Sequence, residues 1–320
     1  MKLIKVDQID TINPASPDDL VICCASFEQR CKGVVNRLSS NYKAQNSIVF
    51  WYKETDLTNL RTYNMKEMER RLRTVSNTLE IVEAPRDEPI IGIRKLQEKC
   101  SQAKLSLSGK YITLDITTFT KQYTLVLLKL LNDLERENRI RVLYTEPKEY
   151  GPRLGGRLTR GLKKIVSVPF FGGRYRLDSK NLLILFLGYE GERAMAVWEE
   201  YGPEKTIAFI GKPGYREGWE CISEDLNERL LSMPTIERRT IPTLDPLSVA
   251  NELEKIQKEY KGYNMYVSPL GSKIQALGLY LFAMTRPEVQ IVYAMPLVYL
   301  ESEYSKGIGP TWQFYFEQTN

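Results

Sequence analysis

The chain has 320 residues and not one histidine. That absence removes imidazole from every role it usually fills: general base, partner of a Ser or Cys nucleophile, and metal ligand. Cysteine is sparse, with five residues and no C-x-x-C pair, so neither a zinc site nor a disulfide framework is supported. No paired-carboxylate metal motif, G-x-x-x-x-G-K-[ST] loop or G-x-G-x-x-G turn after a strand occurs either. No metal and no cofactor is therefore expected. Long apolar runs are missing as well: none approaches the ~18 residues of a membrane span. The opening Met-Lys-Leu-Ile-Lys-Val-Asp lacks the apolar region of a signal peptide. A cytoplasmic location is expected, with no membrane partner.

Apolar residues make up 42% of the chain and charged residues 27%, the balance of a globular protein. Net charge is +5, but it is concentrated. Between Gly151 and Lys180 stand eight basic residues and one acid, Asp178, so this stretch alone carries +7. A local basic segment points to a local anion, and nucleic acid is a candidate partner for it.

One pattern occurs twice. Tyr111-Ile-Thr-Leu-Asp-Ile-Thr-Thr-Phe-Thr-Lys121 and Tyr263-Asn-Met-Tyr-Val-Ser-Pro-Leu-Gly-Ser-Lys273 each run from a Tyr through an apolar strand into a hydroxyl-Lys pair and then a helical pattern. Other matches keep the same order in both halves. Leu20–Arg30 resembles Leu182–Arg193, with Phe27-Glu28 and Arg30 against Tyr189-Glu190 and Arg193. Tyr144-x-x-Pro147-x-x-Tyr150 matches Tyr293-x-x-Pro296-x-x-Tyr299. We read a duplication of one unit of roughly 140 residues, within the usual domain range.

In each half five apolar strands alternate with helical patterns. They are Leu20–Ala25, Ser47–Tyr52, Leu79–Val82, Tyr111–Ile116 and Ile140–Tyr144, then Leu182–Leu187, Thr206–Ile210, Ile236–Ile241, Tyr263–Val267 and Val289–Ala294. Residues 1–19 read as a lead-in loop, Phe27–Leu38 as one helix and Ser223–Leu231 as another. Strands alternating with helices imply a parallel sheet with both faces covered. The expected fold is α/β: two tandem Rossmann-like units related by internal duplication and forming a pseudo-dimer. Residues 1–150 form the first unit, 151–180 a basic Gly-rich connector and 181–320 the second unit. A strand order 3-2-1-4-5 would put the switch point between strands one and four, where such sheets bind ligands.

That edge supplies the candidate residues. Lys121 and Lys273 are expected to bind phosphate at a helix start, with Thr118 and Thr120, or Gly271 and Ser272, lining the same anion. Hydroxyl residues here also serve as plain helix caps. Glu28 with Arg30, and Glu190 with Arg193, read as ion pairs that either aim the Arg at a ligand or brace the fold. Tyr150 and Tyr299, like Phe27 and Tyr189, are candidates for base stacking or packing. Asp115 has no acidic counterpart at Val267. It is the one catalytic candidate, and the alternative is a cap of its own turn.

The Gly271-Ser272-Lys273 turn, with Thr120-Lys121 in the first half, resembles the strand-four motif of CRISPR-associated Rossmann-fold (CARF) sensor domains and the fused pairs of the related SAVED domains. The resemblance implies a prokaryotic antiviral sensor that holds a cyclic oligonucleotide across the two units, with an effector protein as partner. The first half departs from the motif in lacking its Gly. Three function classes follow: a nucleotide-binding sensor, a metal-independent phosphodiesterase or nucleotide-processing enzyme using the same cleft, and a scaffold docking its basic stretch on an acidic partner or nucleic acid.

Overall fold

The computed structural model describes residues 2–13, 18–52, 54, 59–107, 109–133, 138–150 and 158–317. The chain divides into two compact units, Met1–Gly151 together with Glu301–Asn320, and Pro152–Leu300.

The first unit carries β1 (Lys2–Ile9), β2 (Asp18–Ala25), β3 (Ala44–Tyr52), β4 (Ser76–Ala84), β5 (Tyr111–Asp115), β6 (Arg139–Thr145) and the two-residue β7 (Glu149–Tyr150). Its helices are α1 (Gly33–Arg37), α2 (Leu60–Val75), α3 (Pro89–Gln102) and α4 (Lys121–Asp133). The second unit carries β8 (Thr159–Gly172), β9 (Asn181–Phe186), β10 (Lys205–Gly211), β11 (Ile236–Ile241), β12 (Asn264–Pro269) and β13 (Val289–Tyr299). Its helices are α5 (Gly191–Tyr201), α6 (Trp219–Leu226), α7 (Glu228–Leu231), α8 (Pro246–Glu259) and α9 (Lys273–Ala283). The chain then returns to the first unit as α10 (Glu301–Tyr304), β14 (Ser305–Lys306) and β15 (Thr311–Glu317).

Both sheets have the expected order. In the first unit it is β4-β3-β2-β5-β6, all parallel, and in the second β11-β10-β9-β12-β13, also parallel. Each is the 3-2-1-4-5 arrangement of a Rossmann-like sheet, with the switch point between strands one and four. The central strands are buried on both faces, as β9 shows from Leu182 to Phe186. In the first unit Val21, Cys23 and Val49 pack against Val34, Met68 and Leu72. In the second, Leu183, Leu185 and Ala208 pack against Ala194, Val197 and Leu230. Each fully buried aliphatic side chain contributes about 1.5–3 kcal/mol, which makes these layers the main source of stability.

At the amino end of β2 the first unit encloses an ion pair. Arg141 Nη2 lies 2.6 Å from Asp18 Oδ2, and both residues are buried. Thr113 Oγ1 accepts from Arg141 Nε at 2.9 Å and donates to Asp18 at 2.8 Å, and the Tyr42 hydroxyl also donates to Asp18. The carboxylate is thus surrounded by donors, which offsets its desolvation.

Several elements differ from the sequence reading. The lead-in residues form β1, which pairs antiparallel with β15, and β15 pairs antiparallel with β6. Thr159–Gly172, read as part of a connector, is an edge strand of the second sheet, antiparallel to β13. Residues 301–320, assigned by sequence to the second unit, belong to the first. The segment after β2 is a short 3-10 helix, Gln29–Lys32, followed by only five residues of α1. The Ser223–Leu231 helix is broken at Asn227, whose amide donates to Gly188 O at 2.8 Å and Ser223 O at 2.7 Å. Those bonds compete with the helix and hold Asn227 in a non-helical conformation.

Candidate functional site

In both units the helix after strand four begins with the lysine singled out by the repeat. Lys121 is the first residue of α4 and Lys273 the first of α9, and both are partly exposed. A lysine there sits beside the positive end of the helix dipole, an arrangement suited to an anion.

The loop before α4 is tightly bonded. Thr120 caps the helix: its Oγ1 accepts from Tyr123 N at 3.2 Å and its carbonyl from Thr124 N at 2.9 Å. Thr118 is buried and donates to Cys24 O at 2.6 Å, fastening this loop to the end of β2. Asp115 is 1% exposed, and its Oδ1 accepts from Thr117 N at 2.9 Å and from the Thr117 hydroxyl. Its carboxylate closes its own turn, the capping alternative given by its position.

The loop before α9 is a reciprocal capping box. Ser272 Oγ accepts from Gln275 N at 3.0 Å, and Gln275 Oε1 accepts from Ser272 N at 2.8 Å. Ser272 Oγ also donates to Thr243 O at 3.0 Å, tying this turn to the loop after β11. The loops after β9 and β12 touch: a Cβ on Gly188 would lie 2.5 Å from Leu270 O, so only glycine permits the approach. Gly271, Ser272 and Lys273 are partly exposed at this edge.

The two Glu/Arg pairs brace strand one against strand five. Arg30 is 2% exposed and grips Glu28 with Nε at 2.7 Å and Nη2 at 3.2 Å. Its Nη1 donates to Thr145 O at 3.3 Å, at the end of β6. The guanidinium also lies 5.7 Å from the rings of Tyr144 and Tyr150. Burial opposes its charge, yet Glu28 and the two tyrosines hold its pKa well above the ordinary value. In the second unit Arg193 pairs with Glu190 and donates to Ala294 O on β13 at 2.7 Å. Both arginines thus point into protein, the bracing alternative of the two open to them.

The aromatic candidates divide. Tyr150 packs on Arg30, and its hydroxyl is 3.3 Å from that of Tyr144, with burial pushing its pKa well up. Phe27 meets Tyr304 edge-on at 5.6 Å, so α10 crosses the strand-one loop of the first unit. Ser305 Oγ adds a 2.7 Å bond to Glu28 there. Tyr299 is partly exposed at the end of β13. Tyr189 meets Trp219 edge-on at 6.5 Å, and Tyr215 also meets Trp219 edge-on at 6.5 Å, so the candidate Tyr189 belongs to a half-buried aromatic group whose other two members the sequence reading did not single out.

Of the basic stretch, residues 151–157 lie outside the described residues, including Arg153 and Arg157. Arg160, Lys163 and Lys164 on β8, with Arg174, Arg176 and Lys180 beyond it, are exposed. Among the described residues no cluster of three or more metal-ligating side chains occurs, and no helix is long and apolar enough to cross a membrane.

Sequence reasoning also missed three residues at the second unit's edge: Gly211, Thr243 and Gln275. The Ser272-x-x-Gln275 spacing is a legible capping signature and could have pointed to Gln275. Nothing in the sequence singles out Thr243.

No protein-family model matches the chain, and no curated protein does. Among solved structures it is similar to one described as a type III CRISPR defence DNA nuclease activated by cyclic oligoadenylate. The TM-score is 0.54 and the identity 9%, over 90% of this chain and 67% of that one. The likeness is one of fold, and it extends across both Rossmann-like units. An N-terminal ketoreductase of a macrolactin assembly line also aligns, with a TM-score of 0.24 and 8% identity over 90% of this chain and 72% of that one, too weak to bear on function.

Proposed function

We propose that the chain is a nucleotide-binding sensor or regulatory module of a prokaryotic antiviral defence system. One observation carries the reading. In both units a partly exposed lysine opens the helix after strand four, at the carboxyl edge of a 3-2-1-4-5 sheet. Sheets of this kind take their ligands at that edge, and a helix start with a lysine favours phosphate. The fold likeness to a nuclease activated by cyclic oligoadenylate supports a cyclic oligonucleotide as the ligand. We further propose that one ligand serves Lys121 and Lys273 together, and that an effector protein reads the bound state.

Binding fits the described residues better than catalysis does. The Asp115 carboxylate is buried and bonded within its own turn, and Arg30 and Arg193 are each engaged by a glutamate. The exposed basic residues of β8 and the segment after it fit an acidic partner or nucleic acid, a separate role from that of the lysines.

Isothermal titration of the full chain with cyclic tetra-adenylate tests the reading. Saturable binding that weakens in Lys121→Ala and Lys273→Ala supports it, and one molecule bound per chain supports a shared ligand. Absence of binding, or full affinity in both variants, contradicts it.

A further inference from the structure

We infer that residues 301–309 form a strap closed over the strand-one loop of the first unit, an autoinhibitory cover that lifts to admit ligand. That the ligand is a nucleotide rests on the reading above; that the strap opens does not.

The repeat places the same loop in both units, and the two copies differ in exposure. Phe27 is 7% exposed and Glu28 6%, whereas their counterparts Tyr189 and Glu190 are partly exposed. The cover in the first unit is the chain's own return segment. Tyr304 on α10 packs edge-on against Phe27, and Ser305 Oγ donates to Glu28 Oε2 at 2.7 Å. β14 pairs antiparallel with β7, and Gly307 N donates to Gln29 Oε1 at 3.0 Å. At the start of the strap Glu301 pairs with Arg61, whose guanidinium lies 5.4 Å from the centre of the Phe27 ring. In the second unit Glu190 instead accepts from Thr159 Oγ1 at 2.6 Å, at the start of an edge strand of its own sheet.

These fastenings are those of a segment that opens by itself. α10 has four residues and β14 two, too short to hold their shape alone. Apart from the Phe27–Tyr304 contact the ties are polar, and water replaces such bonds at little net cost. Glu301 Oε2 is buried with no hydrogen-bond partner, which weakens the closed form further. The flanks are fixed, because β13 ends at Tyr299 and β15 lies between β1 and β6. The strap can therefore lift with both sheets intact, as a locally opening unit. While it is closed, the strand-one side of the first switch point is shut, and Lys121 on the strand-four side stays partly exposed. Sheets of this kind take ligands between those two loops, so a ligand that reaches both has to displace the strap.

Hydrogen exchange of the full chain, read by mass spectrometry, tests the opening without ligand. In wild type, peptides covering 301–309 should exchange much faster than those of β15, and low urea should leave their rate unchanged, because local opening exposes little surface. Strap amides that exchange as slowly as β15, with the same urea dependence, open only with the whole fold and overturn the strap. Two variants loosen it: Ser305→Ala removes the bond to Glu28, and Glu301→Ala leaves Arg61 paired with Glu54. Isothermal titration with cyclic tetra-adenylate then tests the guarding role. Each lost tie should raise the open population, and with it the affinity, by roughly 2- to 10-fold. Unchanged or weaker binding in both variants, where wild type binds, overturns the autoinhibitory role and leaves the nucleotide reading standing. Failure of wild type and both variants to bind defeats the nucleotide reading, and the exchange experiment then decides the strap alone.

Discussion

Ser272 and Gln275 cap the same helix from both sides: each side-chain oxygen accepts the other residue's backbone N–H, at 3.0 and 2.8 Å. Replacing an N-cap serine by alanine typically costs about 1 kcal/mol. Ser272→Ala should therefore lower the denaturant midpoint by an amount equivalent to ~1 kcal/mol, while the backbone N–H of residue 272 still holds the Gln275 amide. Thr243→Val, which leaves both bonds of the box and the Thr243 carbonyl in place, should leave the midpoint nearly unchanged. Equal losses in the two variants would show that the reciprocal bonds do not hold α9.

A larger effect is expected at the buried Asp18–Arg141 pair. Removing one member of such a pair leaves a charge without its counterpart in the interior, at a cost of about 3–5 kcal/mol. Arg141→Met alone should be strongly destabilising by chemical denaturation. Combining it with Asp18→Leu should recover part of the loss, since no charge is then left behind. Additive losses in the double variant would mean that the pair is not coupled.

Burial sets the alkaline limit of the fold. It pushes the Cys31 thiol up to about 12, and, with Glu80 adding to it, the Cys100 thiol up to about 11, from an ordinary value of 9.0. Burial likewise raises the hydroxyls of Tyr42 and Tyr123 above their ordinary value. Groups with a raised native pKa hold their protons more tightly folded than unfolded. Their contribution is complete below the unfolded value and is lost as pH rises through the native one. Melting temperature should stay level up to about pH 8.5 and fall progressively above it. At pH 8 only Cys221, the exposed thiol, should react quickly with a thiol reagent. Rapid modification of Cys23 or Cys31 would contradict their enclosure.

The exposed basic residues from Arg160 to Lys180 should attract an anionic ligand at long range. Exposed charges are screened beyond ~10 Å at 0.1 M salt. The association rate of cyclic tetra-adenylate, followed by stopped-flow fluorescence, should drop as salt rises. A rate independent of salt would leave these residues with a purely structural role on an edge strand.

The parallel sheets were legible because their strands are buried on both faces and read as unbroken apolar runs, as Leu182–Leu187 does. The 3-2-1-4-5 order was the arrangement expected of such alternating chains, and the repeat around Lys121 and Lys273, after strand four, agrees with it. What the sequence concealed were edge and return elements. β1 and β8 carry charged residues along their length, so period-two patterning is weak in both. The C-terminal β15 pairs antiparallel with β6, which ends at Thr145, and no local pattern records a pairing that distant in sequence. Of the candidate site, the two lysines stand at helix starts as their spacing implied. Arg30 and Arg193 are another matter, because a Glu two or three residues away serves equally well to aim an arginine outward or to bury it. Burial is settled by tertiary contacts such as those to Thr145 O and Ala294 O. Thr243 is brought to α9 by the fold alone.

The two lysines bear the most weight. A charge-assisted hydrogen bond contributes roughly 1.5–3 kcal/mol, equivalent to about a 10- to 150-fold change in affinity. Isothermal titration of cyclic tetra-adenylate into wild type, Lys121→Ala and Lys273→Ala reads this directly, with denaturant unfolding as a control. Each variant should weaken the same single binding event by about 10- to 150-fold while unfolding at the wild-type midpoint. Unchanged affinity in both variants would reduce the repeated hydroxyl-Lys pair to a helix cap and contradict the proposed function.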